Sequence, residues 1–314
     1  DRILVGINNR DARWHDVHSL DLRTGQLTPV LINTGGYAGF TADEALNVRI
    51  ATRSRPDGGS DLFRVANNKV EAQPFEQVTL EDSQTTAPVG FTTDGRTLYW
   101  LDSRGRDTAA LIAQDMASGA KRVVAQNAKA DIGGALANPR TGVVDAYAVN
   151  YLRNEWTPVG SDLAADFAAI RGRLKGEWNV TSRTDADDAW IVVEDAVSAP
   201  ATTYRYDRAG KRLTKLFVNR PELEGKTLAA MRPVEIKSRD GLTLVSYVTL
   251  PPGSDPDGDG RPDRPVSTVL LVHGGPWARD NYGYSGTNQW LANRGYAVLN
   301  VNYRGSTGFG KRFI

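Results

Sequence analysis

The 314-residue chain contains no cysteine. Disulfides, thiol nucleophiles and cysteine-ligated metals are therefore excluded. The compartment stays open, since cytoplasmic and periplasmic proteins both dispense with cysteine. An excess of charge is lacking as well: 38 Lys and Arg stand against 37 Asp and Glu. That balance calls for neither a nucleic acid nor an anionic membrane as partner. Long hydrophobic runs are absent. Runs such as Val269–Val272 have strand length, far below the ~18 apolar residues of a membrane-spanning helix. Histidine is scarce, with only His15, His18 and His273, so candidates for a general base are few. No serine stands in a Gly-x-Ser-x-Gly pattern, the strand-to-helix turn that presents an α/β-hydrolase nucleophile. No feature specifies an oligomeric state. The opening DRILVGINNRD reads as a strand interior, without the zones of a signal peptide. The chain is therefore expected to begin inside a longer protein.

What is present is repetition. GFTADEALNVRI, GFTTDGRTLYWL and GALANPRTGVVDAY start at Gly39, Gly90 and Gly134, 51 and 44 residues apart. Each is a small opening segment, a polar turn and an apolar or alternating run. A second motif runs in step: LDLRTGQL from Leu20, DMASGAKRV from Asp115 and YDRAGKRL from Tyr206. FRVANNKVEA from Phe63 fits the same slot, with Asn-Asn as its turn. These are two-strand hairpin signatures. Short strands repeating every ~45 residues suggest propeller blades of about four strands. A β-sandwich or barrel with accidental similarity is the competing reading. The first 221 residues are expected to hold about five blades. One helical insertion is expected within 158–176, where Leu163, Phe167, Ile170 and Leu174 follow an amphipathic rhythm.

The style changes at residue 222. PVEIKSRDGLTLVSYVTLPPG is a hairpin turning at Asp240-Gly241. After a polar loop come the strand TVLLV, the residues HGGP, a helix around Asn288–Arg294 stopped by Gly295, and the strand YAVLNVNY. Strand, loop, helix, strand opens a parallel α/β sheet. The fold class expected is mainly β: an incomplete β-propeller (1–221), then the start of an α/β-hydrolase domain (222–314).

A Gly-Gly pair directly after a strand expected to be buried lets the backbone turn its amides into a cleft. Fixed N–H donors aimed at a developing oxyanion contribute about 3–4 kcal/mol each to acyl transfer. Gly275 is the first candidate donor and Gly274 the second. Pro276 has no N–H and only shapes the turn. His273 is expected to be structural, hydrogen-bonding the loop, in preference to a base. Arg304 reads as a pin between loops or a substrate-carboxylate clamp. Tyr282 and Tyr284 line a cavity or pack.

HGGP at 273–276 and NYRGSTGFG at 302–310, separated by a helix, resemble the prolyl oligopeptidase family of serine peptidases. The branch is that of acylaminoacyl peptidases and dipeptidyl peptidases. The resemblance implies a seven-bladed propeller capping an α/β-hydrolase domain, with peptide substrates cleaved through an acyl-enzyme. It implies one oxyanion N–H from Gly275 and another from the residue after the serine. Some relatives place a tyrosine hydroxyl where this chain has His273, so the donors here are expected to be backbone only. In the family the Ser, Asp and His all follow the oxyanion loop. The triad, about two blades and most of the hydrolase domain are thus expected to lie outside this chain, which alone is inactive.

DPDGDGRPD sets Asp255, Asp257, Asp259 and Asp263 at relative positions 1, 3, 5 and 9, with Gly260 at 6. That is the front of a calcium loop. Its closing acid at position 12 is missing, since Val266 stands there. A solvated Asp/Gly/Pro connection is the alternative. No cofactor is required otherwise. Two further functions compete with the peptidase: a non-catalytic propeller binding module, and an α/β-hydrolase esterase.

Overall fold

A computed structural model describes all 314 residues. Strands hold 43% of them and helices 6%, a mainly β chain. It forms two compact units, one of residues 1–126 with 141–143, the other of 127–140 with 144–314.

The first unit contains three antiparallel sheets. One is β1 (Arg2–Asp11), β2 (Trp14–Asp21) and β3 (Leu27–Leu31) in chain order. The next runs β4 (Gly39–Ala42), β5 (Val48–Ser54), β6 (Ser60–Ala66) and β7 (Lys69–Val70), with β8 (Glu76–Val78) also paired to β6. The third is β9 (Ala87–Phe91), β10 (Thr97–Asp102), β11 (Ala110–Asp115) and β12 (Lys121–Ala125). Val17 and Leu31 pack with Val48, Ala51 and Val65, joining the first sheet to the second. Ile50, Leu62 and Val78 pack with Phe91, Leu98, Trp100 and Ile112, joining the second to the third.

The second unit continues with β13 (Ile132–Ala137), β14 (Val144–Asn150) and β15 (Asn154–Pro158), followed by α1 (Ala164–Arg171). Then come β16 (Glu177–Arg183), β17 (Ala189–Asp195), β18 (Thr202–Asp207) and β19 (Arg212–Val218). Five antiparallel sheets thus precede residue 222, with three to five strands each. The first and the fourth have three, and the helix expected within 158–176 follows the fourth. Leu163, Phe167 and Ile170 bury that helix against Trp178, Trp190 and Tyr206. The Phe167 ring meets Trp178 edge-on at 4.9 Å. Asp166, buried on the same helix, accepts from the Tyr206 hydroxyl at 2.9 Å and from Arg208 at 2.9 Å.

Three of the four repeated hairpins share one physical device. Asp21 accepts the N–H groups of Arg23 and Thr24, each at 2.9 Å. Asp115 accepts those of Ala117 and Ser118, and Asp207 that of Gly210 at 2.7 Å. An aspartate at the strand end folds the next residues into a turn. A left-handed residue completes it: Gly25 at φ 73°, Gly119 at φ 75°, Lys211 at φ 47°.

The last sheet mixes directions. Its order is β20 (Met231–Lys237), β21 (Thr243–Thr249), β23 (Ala297–Val301), β22 (Thr268–Leu271). β22 and β23 are parallel, connected through α2 (Gly286–Asn293), while β21 runs antiparallel to β23. Ser285 caps α2, its Oγ accepting from the Asn288 N–H at 3.3 Å.

Candidate functional site

The HGGP residues follow β22 at its carboxyl end, where open α/β sheets present ligand sites. Gly274 and Gly275 are both exposed, and neither N–H donates to another group of the chain. Gly275 takes φ 135°. A Cβ built on it would stand 2.8 Å from the Trp277 nitrogen, whereas one on Gly274 would meet nothing within 4 Å. Glycine is therefore required at 275 by conformation and by space.

The loop is braced from NYRGSTGFG. The Tyr303 hydroxyl donates to the His273 carbonyl at 2.9 Å, and its ring stacks on the imidazole at 4.6 Å. The Thr307 N–H donates to the Ala278 carbonyl at 2.9 Å. Buried Asn302 pairs its amide with the Asp280 backbone, accepting at 2.8 Å and donating at 3.1 Å. The two motifs are thus one structure: the second holds the first in place.

His273 Nδ1 lies 2.9 Å from the Gly274 carbonyl and Nε2 lies 2.8 Å from Ser306 Oγ. A carbonyl only accepts, so Nδ1 carries the proton, and a neutral ring then accepts from the serine at Nε2. A Ser–His pair at this distance has the outline of a nucleophile and its base. Ser306 is fully buried, however, and the imidazole is oriented by a carbonyl, not a carboxylate. The pair is a strut, and His273 has the structural geometry expected of it.

Arg279 was missed by sequence reasoning. Its guanidinium donates to the Asn150 carbonyl at 2.8 Å and the Tyr151 carbonyl at 3.2 Å, and lies 4.4 Å from the Phe309 ring centroid. It fastens the segment after HGGP to the end of β14. Burial pulls its pKa down, and burial likewise pushes the adjacent Asp280 carboxyl up. Gly308 makes room for it: a Cβ there would stand 2.6 Å from Arg279 Nη1. Nothing local in the sequence marks such a pin.

Arg304 pairs with Asp240 in the β20–β21 turn and donates to the Arg312 carbonyl. That is the loop-pinning alternative. Tyr282 packs against the cluster around Tyr247 and Phe309, under Arg153 at 4.5 Å. The Tyr284 N–H is held by Asp195 at 2.7 Å.

In the acidic loop, one carboxylate oxygen each from Asp255, Asp257 and Asp259 lie within 4.8 Å of one another. Asp263 stands outside that group. Its N–H closes the loop on the Ser254 carbonyl at 2.9 Å.

No family model matches the chain. It is 54% identical over 311 residues to dipeptidyl aminopeptidase BIII of Pseudoxanthomonas mexicana, covering 99% of this chain and 45% of that protein. It is 31% identical over 334 residues to dipeptidyl peptidase family member 6 of Caenorhabditis elegans, with the same coverages of 99% and 45%. The chain thus spans under half the length of these relatives. The crystal structure of Porphyromonas gingivalis dipeptidyl peptidase 4 superposes with TM-score 0.63 at 14% identity, covering 100% of this chain and 47% of that one. By sequence the chain is a homologue of dipeptidyl aminopeptidases, and its structural neighbours lie in the prolyl oligopeptidase family.

Proposed function

We propose that the chain is the part of a serine peptidase that contributes half of its oxyanion hole. In this reading the Gly275 N–H, with Gly274 second, faces the carbonyl oxygen of a short peptide. The attacking serine and the rest of the triad come from residues outside these 314. The observation that carries the reading is the braced loop itself: two exposed, unpaired N–H groups at the end of a parallel strand, with no histidine or serine nearby free for chemistry. A preorganised donor costs no rearrangement when charge develops on the oxygen, which is why the brace matters.

The five antiparallel sheets are proposed to be blades of an incomplete propeller occupying 1–221, with 222–314 beginning the hydrolase domain. Support comes from the repeated Asp-turn hairpins and from sheet-on-sheet clusters joining the first sheet to the second and the second to the third. The relatives' names supply the substrate class, peptides with a dipeptide removed.

The test is Gly275→Ala in the polypeptide that includes the nucleophile, assayed with dipeptide coumarylamides and a fluorophosphonate probe. A displaced donor lowers kcat about 10²–10³-fold. Turnover at the parent level removes Gly275 from the oxyanion hole.

A further inference from the structure

We propose that Asp255, Asp257 and Asp259 bind a calcium ion on the loop between β21 and β22. This goes beyond the peptidase reading and does not depend on it. Three carboxylate oxygens within 4.8 Å of one another match the span of a calcium coordination sphere, since ligands at 2.3–2.6 Å on opposite sides of the ion stand about 4.6–5.2 Å apart.

The independent observation is Asp255. Its side chain is only 9% exposed, and its Oδ1 is buried with no hydrogen-bond partner. The other oxygen is engaged: Oδ2 accepts from the Gly260 N–H at 3.1 Å and forms an ion pair with Arg232 Nη2 at 3.1 Å. A buried carboxylate oxygen left unpaired is costly. A bound cation removes that cost. Arg232 neutralises one of the three carboxylates from outside the loop, so the cluster keeps a net negative charge. Asp257 and Asp259 are exposed, and each turns one oxygen to the loop backbone, toward the N–H groups of Asp259 and Arg261. Oxygen ligands alone select a hard cation, and a flexible irregular set favours calcium over magnesium, which demands a near-ideal octahedron at shorter distances. Bound there, the ion would tie the approach to β22 to β20 through Asp255 and Arg232.

The experiment titrates calcium chloride into the metal-stripped chain by calorimetry and follows thermal unfolding with and without calcium. One site is expected, with a dissociation constant on the order of 10⁻⁵–10⁻³ M. Saturating calcium should raise Tm by about 2–4 °C. Asp257→Asn and Asp259→Asn change exposed side chains, so far-UV circular dichroism should stay at the parent level while binding and the Tm rise are lost. Asp263→Asn should retain both. The proposal is overturned by no binding up to about 10 mM calcium, well above that range. It is also overturned by Asp257→Asn and Asp259→Asn variants that bind as the parent does, or by magnesium acting equally.

Discussion

Ser306→Ala tests whether the second motif holds the first. The substitution removes one hydroxyl and leaves Cβ in place, so it opens almost no cavity. The bond lost is Ser306 Oγ to His273 Nε2, 2.8 Å long. The backbone bond from the Ser306 N–H to the Tyr303 carbonyl, at 2.9 Å, is untouched. A hydrogen bond contributes about 1 kcal/mol net, and stranding a buried acceptor raises the loss to about 1–3 kcal/mol. Ser306 is fully buried, so water is poorly placed to substitute. A loss of about 1–2 kcal/mol in urea unfolding is expected, with Tm lower by about 2–4 °C per kcal/mol. A second readout separates this strut from general destabilisation. The chain has three histidines, so imidazole nitrogen spectra are readily assigned. In the parent, His273 should show a protonated Nδ1 and a bare, hydrogen-bonded Nε2. In the variant only the Nε2 resonance should move strongly, with His15 and His18 unchanged. A stability change below about 0.5 kcal/mol, the range of substitutions that touch nothing, together with an unmoved Nε2 signal, refutes the brace.

Two other perturbations reach different parts of the molecule. Arg279→Met keeps the packing against Phe309 but strands the Asn150 and Tyr151 carbonyls; relief of a buried charge offsets part of the loss, and a net destabilisation of about 2–3 kcal/mol is expected in thermal melts. A melt at the parent's Tm would show that the loop needs no such fastening. Asp16 is held down to about 2 by its hydrogen bonds from Arg10, against the opposing effect of burial and with help from the Asn33 N–H. Its folded pKa lies below the unfolded value of about 3.9. The contribution is therefore complete above pH ~4 and lost as pH falls through 2. Asp16→Asn should lower stability at neutral pH and flatten the pH dependence of unfolding over that window; an unchanged acid limb would refute the assignment.

Much of the fold was readable in the sequence because the signals act over a few residues. An Asp that folds back on the next two or three N–H groups, followed by Gly25 or Gly119, makes a turn whatever lies elsewhere. The helix expected within 158–176 is found at Ala164–Arg171. Three of its four marked residues, Leu163, Phe167 and Ile170, are buried, because their spacing alone puts them on one face. What the helix packs against was not readable, since Trp178, Trp190 and Tyr206 come from β16–β18, later in the chain. In the acidic loop, alternation brought Asp255, Asp257 and Asp259 together but left Asp263 outside. Even spacing predicts neighbours only while the backbone keeps one curvature.

By itself, then, the sequence determined the hairpins, the strand–loop–helix–strand run and the glycine on which an exposed amide depends. Each follows from torsional freedom or side-chain reach within one short segment. Only the tertiary structure decided that Ser306 is buried beneath His273, that Arg279 fastens its loop to Asn150 and Tyr151, and that one oxygen of Asp255 is left without a partner. Those facts rest on which distant segments meet and on how much water remains between them. Local pattern carries no information about either until the chain has closed on itself.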